Sequence, residues 1–348
     1  MSPSAKKVLK GVLYPTFYCV ALSGFVLLTF PYDRLRDRLV AEFNARQPAG
    51  AGARLEIDKM SGYWVSGVEA QGVKLHAAPP PPKADGKTEE GRVVTVDDIH
   101  LRLSLLKLIF GTFQVTFGGE AFGGTLAGST SDADGARNIV IELDGVNVGD
   151  LPLMREVVGL PLEGKLSGNI DLRMPEAKLS KAEGKVSLKI VDLAFGDGKA
   201  KIRDTIALPR VEAGELELVA EATEGRLKVE KLAANGSDIE LAADGTIRLR
   251  EPLDMSLAEL SFRFKFADKL KTKNDTTKAL FGEPGSSVPG LFDLDPKNKS
   301  AKRPDGFYAY RLTGPLGKLD AVPAPLGSAG GGGAGAGKGG ARGFSGAR

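Results

Sequence analysis

The chain has 348 residues, of which 42% are hydrophobic and 26% are charged, and its formal net charge is +3. This near balance of charge gives no indication of a nucleic-acid partner. The only cysteine, Cys19, excludes a disulfide framework, and the length allows one or two domains.

Residues 11–32 carry no charged side chain. As a helix this stretch would reach about 30 Å, which matches the hydrocarbon core of a bilayer. A core helix of this length would show a polar stripe, and a signal peptide would be followed by a cleavage site. We therefore predict a transmembrane helix, with Tyr14 and Tyr32 at the two membrane interfaces.

Charge does not decide the topology of this predicted anchor, because lysines and arginines flank both of its ends. Everything of substance follows the helix, which is typical of a domain exported behind its anchor. We expect residues 1–10 to form a cytoplasmic basic segment and the main domain to lie on the other side of the membrane.

Residues 33–46 predict an amphipathic helix next to the membrane. Leu35, Leu39 and Phe43 recur at a spacing of four, with charged residues on the other faces. The apolar stripe either packs on the following domain or lies on lipid headgroups, and we assign its three side chains to the membrane interface.

From Arg54 onward the apolar period changes from 3.6 residues to two. Ile99, Leu101 and Leu103 alternate with polar residues, and similar runs continue to residue 312. Asn-Gly and Asp-Gly pairs between the runs favour tight hairpins. The chain is therefore predicted to be mainly β: a many-stranded antiparallel meander that forms a sandwich, an open barrel or an open groove.

Several segments interrupt this pattern and divide the meander into blocks at residues 54–149 and 150–325. A change of parity at Ile190-Val191 predicts a bulge. The other predicted interruptions are a proline-rich loop at 76–91, a short helix within 148–159, a polar loop at 268–303 with a helix near 276–281, and a disordered glycine-rich tail at 326–348.

The sequence gives little indication of catalysis. His76 and His100 are the only histidines, no cluster has the spacing of metal ligands, and the glycine-rich turns lie between strands instead of opening a helix. We predict that the protein is not an enzyme and that it uses no cofactor and no metal.

A sheet with one apolar face must cover that face with a second layer or with an apolar ligand. The side chains predicted to line an apolar groove or, alternatively, a closed core face are Phe262, Phe264, Phe266, Ile247, Leu249, Ile170 and Leu172.

Four segments resemble the GspN family, type II secretion system protein N, in its longer form: residues 29–44 (TFPYDRLRDRLVAEFN), 104–111 (SLLKLIFG), 160–174 and 310–325. The resemblance implies an inner-membrane protein with a periplasmic β domain that contacts other type II secretion components. The pattern at residues 164–172 also resembles the AsmA group of envelope proteins, which handle lipid. This second resemblance implies a lipid-binding or lipid-transfer module with an apolar groove, whose ligands would be phospholipids.

Overall fold

The computed structural model describes residues 3–46, 54–76, 93–151, 154, 161–197, 201–202, 206–207 and 209–324. Nearly all of the predicted proline-rich loop, most of the predicted helix at 148–159 and the predicted glycine-rich tail lie outside these residues. Of the segment at 148–159, Val148–Asp150 forms a single 3-10 turn.

Seven α-helices are described, and most of them are short. They are α1 (Pro3–Thr29), α2 (Tyr32–Arg46), α3 (Leu105–Ile109), α4 (Asp268–Lys271), α5 (Asp275–Phe281), α6 (Leu291–Leu294) and α7 (Pro296–Ala301).

The first two helices differ in their bounds from the prediction. The segment predicted as one helix at 11–32 begins earlier, at Pro3, and ends at Thr29, and Tyr32 starts α2 instead. Pro31 explains the break, because proline disfavours helical geometry in the residue before it. Among the described residues, no helix combines the length and the apolar content that a membrane crossing requires.

Sixteen strands are described. They are β1 (Arg54–Tyr63), β2 (Gly67–His76), β3 (Val93–Leu103), β4 (Phe113–Ala121), β5 (Gly124–Ala133), β6 (Ala136–Asn147), β7 (Leu162–Pro175), β8 (Glu183–Phe195), β9 (Lys201–Ile202), β10 (Ile206–Ala207), β11 (Val211–Thr223), β12 (Arg226–Asn235), β13 (Ile239–Arg248), β14 (Leu257–Phe266), β15 (Tyr308–Pro315) and β16 (Asp320–Pro323).

Fourteen of these strands form one antiparallel sheet in chain order, and β9 and β10 form a separate small hairpin. The prediction of a mainly β antiparallel meander is therefore confirmed. The sheet is open, because β1 and β16 are its two ends. β6 pairs directly with β7, so the two predicted blocks belong to the same sheet.

The bulge predicted at Ile190-Val191 is confirmed. The pairing of β8 with β7 shifts register opposite Gly164, and Asp192 has a φ of 54°. A residue other than glycine adopts positive φ infrequently, and in a strand it is typical of a bulge.

Glycines allow neighbouring strands to approach at two points on one face of the sheet. Gly168 in β7 has a φ of 144° and Gly245 in β13 has a φ of 141°. A Cβ atom at Gly168 would overlap the carbonyl oxygen of Ser187, and one at Gly245 would overlap that of Glu259. Any other residue at these positions would therefore force strands β7 and β8, or β13 and β14, apart.

Helix α2 lies along the outer edge of β1. The side-chain amide of Asn44 accepts a hydrogen bond from the backbone N–H of Leu55 (2.8 Å) and donates one to its carbonyl oxygen (3.3 Å). Arg36 donates to the carbonyl oxygen of Asp58 at 3.3 Å. These side chains satisfy backbone groups that an edge strand would otherwise present for pairing with another chain.

Residues 268–303 differ most from the prediction, because they contain four short helices where a polar loop with one helix was expected. The expected helix is present as α5, whose first turn is capped by Asn274 and Thr277 in a reciprocal pair of hydrogen bonds. Leu270, Leu280 and Phe281 are buried against the sheet. These few large side chains suffice to dock an otherwise polar segment.

Asp238 connects this helical segment with the strands. Its side chain is fully buried, accepts a hydrogen bond from the backbone N–H of Glu212 (3.1 Å) and pairs with Lys273 Nζ (3.2 Å). The backbone N–H of Ala267 donates to its carbonyl oxygen at 2.9 Å. One residue thus joins β11, the turn between β12 and β13, and the start of α4.

Two buried tyrosines of β15 also bind this helical segment, through α6 and α7. Tyr308 donates its phenolic hydrogen to Asp293 (2.6 Å), and Tyr310 donates to Asn298 (2.6 Å). Burial, together with the hydrogen bond to Asp293, raises the pKa of Tyr308 above its ordinary value. Burial, aided by the nearby carboxylates, raises the pKa of Tyr310 to about 12.

We expect Gly168→Ala to destabilise the sheet, because it combines a strained φ with overlap of the Ser187 carbonyl group. The strain alone costs about 1–3 kcal/mol, and the overlap adds to it. Gly135→Ala is the matched control, since Gly135 also has positive φ but would place its Cβ in open space. Chemical denaturation of both variants measures the difference; equal losses would contradict the close approach of β7 and β8.

We expect stability to fall as the pH rises from about 10 to 12. In this window the native state keeps phenolic protons that the unfolded chain has lost, so each tyrosine reduces the free energy of unfolding by up to about 1.4 kcal/mol per pH unit. Tyr310→Phe removes one contribution, while lysines titrate alike in both proteins. The variant should show a shallower pH dependence in denaturation experiments; identical slopes would refute the raised pKa.

Candidate functional site

One face of the large sheet is apolar from its first strand to its last. The pairing register places a row of apolar residues and glycines side by side across all fourteen strands. In strand order the row is Gly62, Val68, Leu101, Phe117, Gly128, Ile141, Ile170, Val186, Ala220, Val229, Gly245, Leu260, Leu312 and Ala321.

A second row runs beside the first on the same face. It consists of Met60, Ala70, Ile99, Gly119, Leu126, Leu143, Gly168, Leu188, Leu218, Leu232, Ala243, Phe262, Tyr310 and Pro323. We call the surface formed by these two rows the trough. Neither row contains a charged side chain.

The opposite face of the sheet is polar. Asp171, Lys185, Glu221 and Lys228 are register neighbours on successive strands and alternate in charge. Cross-strand pairs of opposite charge stabilise a solvated sheet face modestly. This contrast identifies the polar face as the one that contacts water.

The trough is only partly covered by the described part of the chain. Ile170, Val186, Leu188, Leu218 and Leu232 are half-buried although they lie in the middle of the sheet. Fourteen of the described strands belong to this one sheet, and each makes its extensive contacts with adjacent or next-adjacent strands. A closed core would leave these central side chains fully buried.

Three buried clusters lie along the trough: two border it, and the third lies on its floor, where Ala220, Val229 and Leu260 are buried. Under helices α4–α7, Phe266 stacks near Phe281 at a ring-centroid distance of 4.2 Å, and Phe264 lies 5.3 Å from Tyr308. On the other side, Leu249 and Met174 pack with Ala182. The trough therefore has two apolar walls whose interiors are closed.

The seven residues predicted to line a groove or core all lie on the apolar face, in different settings. Ile170 and Phe262 are half-buried on the floor of the trough, whereas Phe266 and Leu249 are buried in its walls. The remaining three, which are half-buried beside the walls, are Phe264, Leu172 and Ile247.

An apolar cleft of about 400 Å³ lies where the trough meets the start of α2. Phe30 and Tyr32 lie on one side of it and Leu103, Phe113 and the β1–β2 turn on the other. The full lining is Phe30, Tyr32, Val65, Ser66, Gly67, Val68, Leu101, Arg102, Leu103, Phe113 and Val115. Two of the lining residues, Val68 and Leu101, belong to the trough, so the cleft is its open end.

The residues predicted at a membrane interface occupy different environments. Tyr14 on α1 is 57% exposed and Leu39 on α2 is 42% exposed. Tyr32, Leu35 and Phe43 are half-buried, and the ring of Tyr32 lies directly over Gly62 of β1. Helix α2 thus turns part of its apolar stripe toward the sheet.

Sequence reasoning missed an exposed apolar segment beside the cleft. Leu105 begins helix α3 instead of continuing the alternation of β3. Leu106, Ile109 and Phe110 in and after α3 are 75%, 76% and 84% exposed. The signal that identifies the segment is the apolar run LLKLIF, which is too continuous for a half-buried strand.

Glu69, Asp98 and His100 lie on the polar face of the sheet. His100 stacks on Tyr63 at a centroid distance of 4.4 Å, and burial together with the neighbouring Glu69 raises the pKa of Asp98. Within the described ranges, no cluster of His, Cys, Asp or Glu side chains is arranged to hold a metal ion.

The register across fourteen strands gives the trough its length. With a spacing of about 4.8 Å between strands, the surface runs for roughly 60 Å across the sheet. It is therefore a long, narrow apolar surface without charged groups, suited chemically to extended hydrocarbon.

Comparison with known proteins gives no relative: no family model matches the chain, no curated protein is significantly similar to it, and no solved structure matches it.

Proposed function

We propose that this protein is a non-enzymatic lipid-binding module whose trough shields acyl chains from water. The observation that supports this function is the uninterrupted double row of apolar residues across fourteen strands. Several of its large central side chains, among them Ile170, Leu188 and Leu218, are only half-buried. Burying apolar surface gains about 25 cal/mol per Å², so a surface of this extent favours an apolar occupant.

The chemistry of the two rows restricts what that occupant can be. They contain no charged side chain, and they offer little to satisfy a polar group removed from water. A hydrocarbon chain has no polar group to remove from water there, whereas a phosphate headgroup would lose its hydration. We therefore expect acyl chains on the floor of the trough and headgroups outside its walls.

A role in type II secretion is a second proposal, and it has a different basis. It is supported by the resemblance of residues 29–44, 104–111, 160–174 and 310–325 to the GspN family. In this role the protein would contact other secretion components without catalysing a reaction. Location at the inner membrane, with the sheet in the periplasm, is supported by the same resemblance.

Photo-crosslinking on one strand tests the lipid-binding proposal. We expect p-benzoylphenylalanine at Leu218, on the trough, to crosslink phospholipid in cells, and the same group at Glu217, on the polar face, not to do so. Adjacent strand residues point to opposite faces, so the two sites differ only in the face they sample. Equal crosslinking at both positions, or none at either, would refute the proposal.

A charge placed on the floor of the trough should weaken lipid binding. We expect Ile170→Asp to reduce the phospholipid that copurifies with the full chain by about tenfold or more, because a carboxylate beside an acyl chain is poorly solvated. Asn169→Asp adds the same group on the polar face and is the matched control. Native mass spectrometry measures occupancy, and unchanged occupancy in Ile170→Asp would contradict the assignment of the trough.

A further inference from the structure

An exposed apolar surface lies at the open end of the trough. It combines the β1–β2 turn with α3, and we call it the tip: Trp64, Val65, Leu105, Leu106, Leu108, Ile109 and Phe110. These side chains are between 45% and 84% exposed. Exposing so many large apolar side chains to water is unfavourable. An exposed apolar patch of this size is typical of an interaction surface.

The two segments of the tip are held together by the sheet. Ser66 donates its hydroxyl hydrogen to the carbonyl oxygen of Leu103 at 2.6 Å, and the backbone N–H of Leu103 donates to the carbonyl oxygen of Ser66 at 3.1 Å. The guanidinium group of Arg102 lies 5.4 Å from the centre of the Trp64 ring. The tip is therefore a fixed part of the fold and contains residues far apart in sequence.

The chemistry of the tip fits a lipid bilayer. Its segments, residues 63–66 and 104–113, contain no acidic residue, and Lys107 and the neighbouring Arg102 supply positive charge. Aliphatic and phenylalanine side chains bury in the acyl boundary, tryptophan favours the headgroup layer, and cations attract anionic lipids. This combination distinguishes a membrane-binding surface from a protein interface of ordinary composition.

The surroundings of the tip point to the same occupant. Phe30, directly after α1, lines the same cleft as Val65. Helix α1 itself presents exposed apolar side chains, among them Phe17 and Phe25, which are 66% and 65% exposed. The end of α1, the cleft and the tip thus lie next to one another.

We propose that the tip inserts into the surface of a bilayer containing anionic phospholipid and holds the open end of the trough against it. The role of this insertion rests on the proposed lipid-binding function. A trough that opens at the membrane surface can receive acyl chains without exposing them to water.

Trp64 is the only tryptophan of the chain, so its fluorescence reports on the tip directly. The test uses the full chain reconstituted into vesicles of phosphatidylethanolamine and phosphatidylglycerol, with bromine on the acyl chains of a fraction of the lipids. We expect a blue-shifted emission that brominated lipid quenches. Emission typical of water and unaffected by brominated lipid would overturn the proposal.

Variants separate tip insertion from lipid binding in the trough. The double variant Ile109→Asp and Phe110→Asp should lose at least half of the quenching while it keeps the phospholipid bound in the trough. Val288→Asp, at a side chain that is 71% exposed elsewhere, is the matched control and should leave quenching unchanged. Full quenching in the double variant would refute insertion of α3.

Ile170→Asp distinguishes the two proposals. If the trough loses its lipid and Trp64 remains quenched, the tip binds the membrane independently of the trough. If quenching disappears together with the lipid in the trough, Trp64 reports bound lipid rather than the bilayer, and the proposal of tip insertion fails.

Discussion

The structure depends on keeping one alternation of side chains in register over fourteen strands. A slip of one residue would turn an apolar strand toward water and interrupt the trough. The bulge in β8 shows how this is avoided, because one extra residue next to Asp192 leaves both Ile190 and Leu193 in the buried cluster under the helices. The irregularity preserves the continuity of the apolar face.

An open sheet with one apolar face exposes two surfaces that can pair with other chains: the backbone groups of its edge strand and the apolar face itself. The edge at β1 is shielded by α2, whose Asn44 and Arg36 satisfy backbone groups of that strand. The face is covered along its sides, where α4–α7 dock through a few large residues and through Asp238, and part of its floor is buried at Ala220 and Val229. The covered parts provide stability, and the half-buried strip is the surface for which we propose lipid.

The sequence predicted the strands well, because alternation is a local property. Ile170, Phe262 and Phe266 lie on one face of the sheet, as their spacing of two along each strand requires. Alternation did not indicate which of them is buried, because that depends on helices α4–α7, which dock from a different part of the chain. Of those helices only α5 was predicted, and the other three were missed because the segment is polar overall and a large apolar residue such as Leu270 is isolated in it.

The order of the strands has a consequence for folding and for evolution. Each strand pairs with the strand that precedes or follows it, apart from the small hairpin between β8 and β11. Contacts are therefore local in sequence, and such topologies fold quickly and can add one hairpin at a time, as in repeat proteins. Duplication of a hairpin would lengthen the sheet by about 10 Å, so a longer or shorter protein of this plan could arise without redesign of its ends.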